Sequence, residues 1–286
     1  MNETLAADTA MGPVTLKVAD LDAMTAYYRD GVALQVLDAA GPVVTLGRGT
    51  TPVLILEHAP ELAHFSPRDA GLFHTAILFD TQEALAAAVY SVARKYPNTF
   101  TGSSDHLVSN AFYFSDPEGN GVELYWDRDR STWSWTHGTL EMATLYLDPN
   151  AFLQEHLTEQ TASDPVVGGA RVGHVHLQVG DVETAREFYI GALGFEKTMA
   201  MPGSALFVSA GGYHHHMAMN VWNSRGAGKR ANTLGLGRID IEVPAADDLG
   251  GLVERMNHHG LATRDDGRTV SVDDPWGNLI NVTAAR

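Results

Sequence analysis

The sequence predicts an α+β protein made of four βαβββ modules, and three repeated patterns support this prediction. The segment from Val14 resembles the segment from Val175, because each alternates like a strand, passes an Asp-containing turn and enters an amphipathic helix with neighbouring aromatic residues. DPEGNGVEL resembles DPWGNLINV, and each combines a tight turn with an alternating strand. Two further strand-then-helix units begin at His74 and Arg238.

The four modules, numbered first to fourth, begin near residues 12, 72, 172 and 236. Equivalent positions in the two halves lie about 160 residues apart, which indicates a duplication. We therefore predict a first domain at residues 10–128 and a second at residues 170–286, each with two modules. Residues 129–169 break the pattern with a Trp-rich turn, STWSW, a short predicted helix, PNAFLQEHL, and a flexible stretch, TASDPVVGG. They are predicted to connect the domains.

Composition restricts the class of protein. The chain has 286 residues, 44% hydrophobic and 19% charged, and a formal net charge of −16. This charge disfavours nucleic acid and anionic membrane surfaces as partners. No apolar run approaches the roughly 20 residues of a membrane span, and MNETLAADTA lacks the features of a secretory signal. We predict a cytoplasmic protein. The absence of cysteine leaves histidine, carboxylate and tyrosine as metal ligands.

The second module contains the most specific motif of the chain. His106 is followed by five residues and an aromatic pair that ends in Tyr113, which precedes Glu123 by ten residues across an Asp-Pro-x-Gly turn from Asp116. This motif resembles the signature of type I extradiol dioxygenases, with a departure at Ser104. Together with the four modules, it resembles the vicinal oxygen chelate superfamily, which includes glyoxalases, bleomycin-resistance proteins and extradiol dioxygenases. The resemblance covers nearly the whole chain and implies two half-open barrels, each built from two modules.

The resemblance implies metal ligands on the first and last strands of the modules. In the second module these positions are His74 and Glu123, and a triad of two histidines and one carboxylate needs one more histidine. The matching position is Pro13 in the first module but His174 in the third. The fourth module has arginine and asparagine at its two positions. We therefore predict a crossed pairing, with a metal held by the second and third modules and none held by the first and fourth.

Two other interpretations of the ligands remain open at this stage. Glu123 could face outward on an edge strand, and His74 could be a hydrogen-bonded core residue. His176 could line the pocket or belong to the core. The run His214-His215-His216 could also be a surface cluster.

The resemblance also implies the other residues of the site. Strand alternation would place His215 on one face and His214 and His216 on the other, and His215 best matches the position of the acid–base histidine. His106 and Tyr113 are predicted to assist catalysis at the substrate. The predicted substrate-binding residues are His176, His216, Asn220 and Trp222.

The function that the resemblance implies is ring opening of a catechol-like aromatic diol by O2, with Fe(II) as cofactor. Mn(II) is an alternative, because the same ligands accept it. Two other functions stay open: a glyoxalase-like metal-dependent lyase or isomerase, and a non-catalytic small-molecule-binding protein of the bleomycin-resistance kind. The ring substituents, the cleavage position and the oligomeric state, including a homo-oligomer, are left open by the sequence.

Overall fold

The computed structural model describes residues 4–285 and has the predicted α+β architecture of four βαβββ modules. The strands and helices of the first two modules are β1 (Ala10–Val18), α1 (Leu21–Ala26), β2 (Gln35–Ala40), β3 (Val43–Arg48), β4 (Thr51–His58), β5 (Gly71–Phe79), α2 (Gln82–Lys95), β6 (Phe100–Asp105), β7 (Ser109–Ser115) and β8 (Gly121–Asp127).

The connecting residues contain β9 (Trp135–Thr136), β10 (Thr139–Leu140), α3 (Pro149–His156) and α4 (Glu159–Ser163). The helix predicted at PNAFLQEHL is therefore confirmed as α3. The last two modules contain β11 (Ala170–Gln178), α5 (Val182–Arg186), β12 (Glu196–Met201), β13 (Ala205–Ser209), β14 (Met217–Asn220), β15 (Gly235–Val243), α6 (Ala246–His258), β16 (Arg264–Asp265), β17 (Thr269–Asp273) and β18 (Leu279–Ala284).

The strands form two eight-stranded mixed sheets and a small sheet of β9 and β10. The first large sheet has the order β16-β17-β18-β15-β1-β4-β3-β2, and the second has the order β12-β13-β14-β11-β5-β8-β7-β6. The first and fourth modules therefore share one sheet, and the second and third modules share the other. This order confirms the crossed pairing of the modules.

The Asp-containing turns of the repeat are helix N-caps. The Asp20 carboxylate accepts a 2.9 Å hydrogen bond from the Ala23 N–H, and the Asp181 carboxylate accepts a 2.7 Å bond from the Thr184 N–H. Such bonds satisfy backbone donors that a helix start leaves open. Both short helices continue into a π-helical turn, Tyr27–Gly31 after α1 and Glu187–Ala192 after α5, a feature that the sequence pattern did not predict.

The backbone contacts divide the chain into two compact units. One consists of residues up to 14, residues 63–73 and residues from 173, and the other of residues 15–62 and 74–172. Large apolar side chains are fully buried in each unit, among them Phe112 and Tyr125 in one and Tyr189 and Phe195 in the other. The predicted domain bounds stay a prediction. Among residues 4–285, no helix has the length and apolar character that a bilayer span requires.

Candidate metal centre

A histidine and a carboxylate meet where β5 and β8 run side by side. These strands are parallel neighbours, and their register pairs His74 with Gly121 and Ala76 with Glu123. Nε2 of His74 lies 2.9 Å from Oε2 of Glu123. Both residues are buried, at 6% and 3% exposure. Glu123 is therefore not an outward-facing residue of an edge strand.

The tight turn before β8 fixes where Glu123 stands on that strand. The Asp116 carboxylate accepts hydrogen bonds from the backbone N–H groups of Glu118 and Asn120 at 3.0 and 2.9 Å. The turn also needs Gly119 at φ 88°, a backbone conformation that favours glycine. Tyr28, from the first module, donates a 2.8 Å hydrogen bond to the same carboxylate. Burial raises the pKa of Asp116 to about 6, although these hydrogen bonds oppose the shift.

Tyr113 lies beside Glu123, and His106 lies beside Tyr113. Tyr113 is paired with Glu123 in the antiparallel register of β7 and β8, and its ring centroid lies 5.7 Å from that of His74. Nε2 of His106 lies 2.7 Å from the Tyr113 hydroxyl. Burial raises the pKa of Tyr113 well above its usual value, and the Glu123 carboxylate adds to the rise. Tyr113 is therefore a neutral hydrogen-bonding group beside Glu123 at ordinary pH.

A second group of ligand-type side chains surrounds His174 on β11. The ligand atoms of His174, His214 and His215 lie within 4.8 Å of one another, and all three residues are buried. Nδ1 of His214 lies 2.8 Å from Nδ1 of His215, and the rings of His174 and His215 are 4.1 Å apart. The surface-cluster interpretation of these histidines is wrong because they are buried.

The strand alternation proposed for the histidine run is also wrong. β14 begins only at Met217, so the run lies in the loop before the strand and its side chains are not arranged with a period of two. His214 and His215 consequently both lie close to His174. Nδ1 of His216 instead accepts a hydrogen bond from the Ala210 N–H at 3.2 Å. A loop conformation of this kind has no sequence pattern that would reveal it. A role for His216 in substrate binding stays a prediction.

An aromatic wall, formed by Phe73, His176, Phe207 and Trp222, lies next to the histidine group. The ring of His176 contacts the other three at centroid distances of 5.0 Å to Phe73, 5.9 Å to Phe207 and 5.4 Å to Trp222. Phe207 in turn lies 5.2 Å from His215. The sequence interpretation missed Phe73 and Phe207. Only their positions in the sequence could have indicated them, because Phe73 directly precedes His74 and Phe207 is central in β13.

Asn220 supports this wall by a hydrogen bond. Its side-chain amide lies 2.9 Å from Nε2 of His176, and its Oδ1 accepts the backbone N–H of Trp222 at 3.0 Å. His176 and Asn220 are buried, whereas Trp222 is 48% exposed. The wall therefore extends from the buried histidines to the surface of its unit.

The three predicted metal ligands, His74, Glu123 and His174, are all buried. His74 and Glu123 form a close pair in one unit, whereas His174 lies in the other unit beside His214 and His215. An imidazole and a carboxylate side by side are ligand types that suit Fe(II) or Mn(II). Joint coordination of one ion by all three residues stays a prediction.

The equivalent positions of the first large sheet have a different arrangement. Arg238 makes a two-point ion pair with Asp240 at 2.8 and 3.1 Å, and Asn281 accepts a 2.7 Å hydrogen bond from Ser271. A guanidinium cannot ligate a metal, and no group of metal-ligating side chains involves these positions in residues 4–285.

The sequence of the chain is similar to a known family and to proteins of known name. The family model described as Glyoxalase/Bleomycin resistance protein/Dioxygenase superfamily matches residues 171–282. The chain is 36% identical over 273 residues to catechol-2,3-dioxygenase of Bacillus subtilis (strain 168), which covers 94% of each chain. It is 26% identical over 142 residues to 3-methylcatechol 2,3-dioxygenase of Pseudomonas putida, which covers 45% of this chain and 46% of the relative.

The fold is also similar to that of a solved structure. Glyoxalase I from Zea mays superposes with a TM-score of 0.58 at 16% identity, with 97% of this chain and 92% of the maize chain covered. At this identity the likeness concerns the fold alone.

Proposed function

Because the chain belongs to the Glyoxalase/Bleomycin resistance protein/Dioxygenase superfamily, we propose that it is an extradiol dioxygenase that opens a catechol-like aromatic diol with O2. The observation that carries this proposal is the full-length similarity to the Bacillus subtilis catechol-2,3-dioxygenase. The second relative acts on 3-methylcatechol by its name, which supports the same substrate class.

The proposed cofactor is Fe(II), held by His74, Glu123 and His174, with Mn(II) as the alternative for the same ligands. Burial of the set supports this proposal, because a carboxylate without a cation is costly to bury. When bound, the ion would supply Lewis-acid chemistry and would bring the diol and O2 together. Nε2 of His74 and Oε2 of Glu123 already lie 2.9 Å apart, so this pair is placed to approach one ion.

Tyr113 and His106 would act beside the ligand carboxylate and the substrate. Burial and the negative charge of Glu123 raise the pKa of Tyr113, so the tyrosine would keep its proton. Its hydroxyl oxygen could then accept a hydrogen bond from a substrate hydroxyl. His106 contacts Tyr113 from the far side and would hold the direction of that hydroxyl.

His215 would move a proton to and from the substrate. Its ring lies 4.1 Å from that of the proposed ligand His174, and its Nδ1 faces Nδ1 of His214 at 2.8 Å. Two such nitrogens can share one proton, so His214 can hold His215 in the tautomer whose Nε2 is ready for proton transfer. His214 is thus proposed as a partner of the acid–base residue.

His176, Asn220 and Trp222 are proposed to contact the substrate ring, and His216 is proposed with them as a more distant contact. The aromatic wall supports this assignment, because flat apolar side chains beside the metal ligands suit stacking on an aromatic ring. The hydrogen bond from the Asn220 amide to Nε2 of His176 favours a neutral imidazole, which is less hydrated than a charged one and suits such a surface.

The test is metal analysis of anaerobically purified protein, followed by oxygen uptake with a panel of catechols. We expect one ion per chain and O2 consumption that matches ring-opened product. A divalent metal without O2 consumption would instead favour a glyoxalase-like lyase or isomerase. Tight catechol binding without metal or turnover would favour a non-catalytic binding protein.

A further inference from the structure

Residues 143–147, which belong to the connection after the second module, are held against the end of β6. Asp105 and Leu145 form an antiparallel bridge with two backbone hydrogen bonds of 2.9 and 3.0 Å. The Ser103 hydroxyl adds a 2.8 Å bond to the Leu147 carbonyl. We call residues 143–147 the strap. It is anchored at two points although it lies outside the βαβββ pattern.

The strap puts one backbone carbonyl against a side chain of the proposed active site. The Ala143 carbonyl oxygen lies 2.7 Å from Nδ1 of His106, while Nε2 of His106 lies 2.7 Å from the Tyr113 hydroxyl. A carbonyl can only accept a hydrogen bond, so the proton must be on Nδ1. In the neutral imidazole, Nε2 is then an acceptor, and the Tyr113 hydroxyl can donate to it.

The turn that carries His106 is itself fixed by neighbouring charges. Leu107 has φ 70°, and its N–H donates to the Asp105 carboxylate at 2.9 Å. Arg128 pairs with the same carboxylate at 2.6 Å. The His106 N–H donates to the Ser109 carbonyl at 2.9 Å. The backbone at His106 therefore has little freedom to move away from the strap.

We propose that the strap is a positioning element, in which the Ala143 carbonyl keeps a proton on Nδ1 of His106 so that Nε2 accepts from the Tyr113 hydroxyl and orients it. The hydrogen bonds run from Ala143 through His106 to the Tyr113 hydroxyl, which lies beside Glu123. Ala143 and Leu145 touch no substrate in this proposal and act through His106. The catalytic consequence rests on the proposed function, whereas the tautomer does not.

The tautomer can be read directly from ¹⁵N NMR of histidine in the full chain, with Zn(II) added because it is diamagnetic. His106→Gln assigns the resonances. We expect a protonated Nδ1 and an unprotonated Nε2 at His106 in the unmodified protein. In Leu145→Pro, which lacks the N–H that donates to Asp105, we expect the Nε2–H form to increase. Ser103→Ala loosens the other anchor by a milder change and should move the ratio in the same direction.

Two control variants test whether the Ala143 carbonyl, rather than another contact, sets the tautomer of His106. Tyr146→Ala changes a side chain that is 84% exposed within the strap and should leave the tautomer unchanged. Tyr113→Phe removes the hydroxyl but keeps the carbonyl, so the Nδ1–H form should persist. Loss of that form in Tyr113→Phe, or its retention in both Leu145→Pro and Ser103→Ala, would overturn the proposal.

Kinetics supply the second measurement. A positioning role predicts that Leu145→Pro lowers kcat by about 10-fold or more, short of the roughly 100- to 10,000-fold that a general acid or base contributes, with KM little changed. If Leu145→Pro only destabilised the fold, kcat per folded molecule would be unchanged, and this result would count against the proposal. If the unmodified chain opened no catechol, the proposed function would fail while the NMR result still decided the tautomer.

Discussion

Nε2 of His74 and Oε2 of Glu123 lie 2.9 Å apart in the interior, although 48 residues separate them in the sequence. They meet because β5 and β8 are parallel neighbours whose register places Glu123 beside Ala76, two residues after the histidine. An isolated buried carboxylate would be expensive, so this pair needs a positive charge nearby. A divalent ion bound by the pair, as proposed above, would supply that charge.

Replacement of Glu123 should remove the metal. Glu123→Gln keeps the size of the side chain but deletes the negative charge of the ligand set. We expect the ion to bind more weakly by more than the roughly 10- to 100-fold that loss of a partner of a ligand costs, and oxygen uptake to disappear. Metal analysis after dialysis measures the effect. Glu196→Gln, an exposed strand glutamate on β12, should keep its metal, and a fully loaded Glu123→Gln would contradict the ligand assignment.

The exposed end of the aromatic wall should affect substrates with large ring substituents most. Trp222 is 48% exposed and lies 5.3 Å from Phe73 by ring centroids. Trp222→Ala should raise KM for an aryl-substituted catechol by about 5- to 10-fold, as expected for the roughly 1 kcal/mol of an aromatic contact, and change KM for catechol itself much less. Trp135→Ala, with a similarly exposed indole in the connection, should leave both KM values unchanged.

A repeated tyrosine–aspartate bond stabilises the tight turn in both halves of the chain. Tyr28 donates to Asp116 at 2.8 Å, and Tyr189 donates to Asp274 at 2.9 Å. Each bond is buried and has a charged acceptor, so Tyr28→Phe and Tyr189→Phe should each lower the free energy of unfolding by about 1.5–3 kcal/mol. Urea unfolding measures this, with Tyr146→Phe on an 84% exposed ring as control. A change below a few tenths of a kcal/mol would show that the bonds are dispensable.

Much of the fold could be predicted because the duplication preserves its periodic signals. Alternating strands, Asp20 and Asp181 as helix caps, and the Asp116 turn are local patterns, and the structure has each of them. The crossed pairing could be inferred from Pro13, which cannot ligate, and from its counterpart His174. The π-helical turns could not be predicted, because they arise from packing around the helix ends rather than from a repeat.

The candidate site was predictable where strands carry it and unpredictable where loops do. His74, Glu123 and His174 lie on strands whose register follows from the modules. His214 and His215 lie before β14, so alternation gave the wrong relation between them. The contact of Ala143 with His106 depends on a connecting segment that has no sequence motif. Only the folded structure shows that the two residues are close together.

Asp116 should make the protein less stable as the pH rises from about 4 to about 6. Burial raises its folded-state pKa to about 6 from an ordinary value of 3.8, so the folded state holds the proton more tightly than the unfolded state. Its contribution to stability is therefore fully present below the unfolded pKa and is lost as pH rises through the folded pKa. A shift of about two units corresponds to about 3 kcal/mol.

The measurement is the free energy of unfolding in urea at several pH values, for the unmodified chain and for Asp116→Asn. The asparagine does not ionise, so the difference between the two proteins isolates this carboxyl group from the others that titrate in the same range. We expect the unmodified chain to lose about 2 kcal/mol relative to the variant between pH 4 and pH 7. Asp129 provides a control of opposite sign, because hydrogen bonds from Ser131 lower its pKa and its contribution is lost as the pH falls. A difference for Asp116 that stayed flat, or rose with pH, would mean that the turn holds the carboxylate in its charged form and that the hydrogen bonds from Tyr28 and Asn120 outweigh burial.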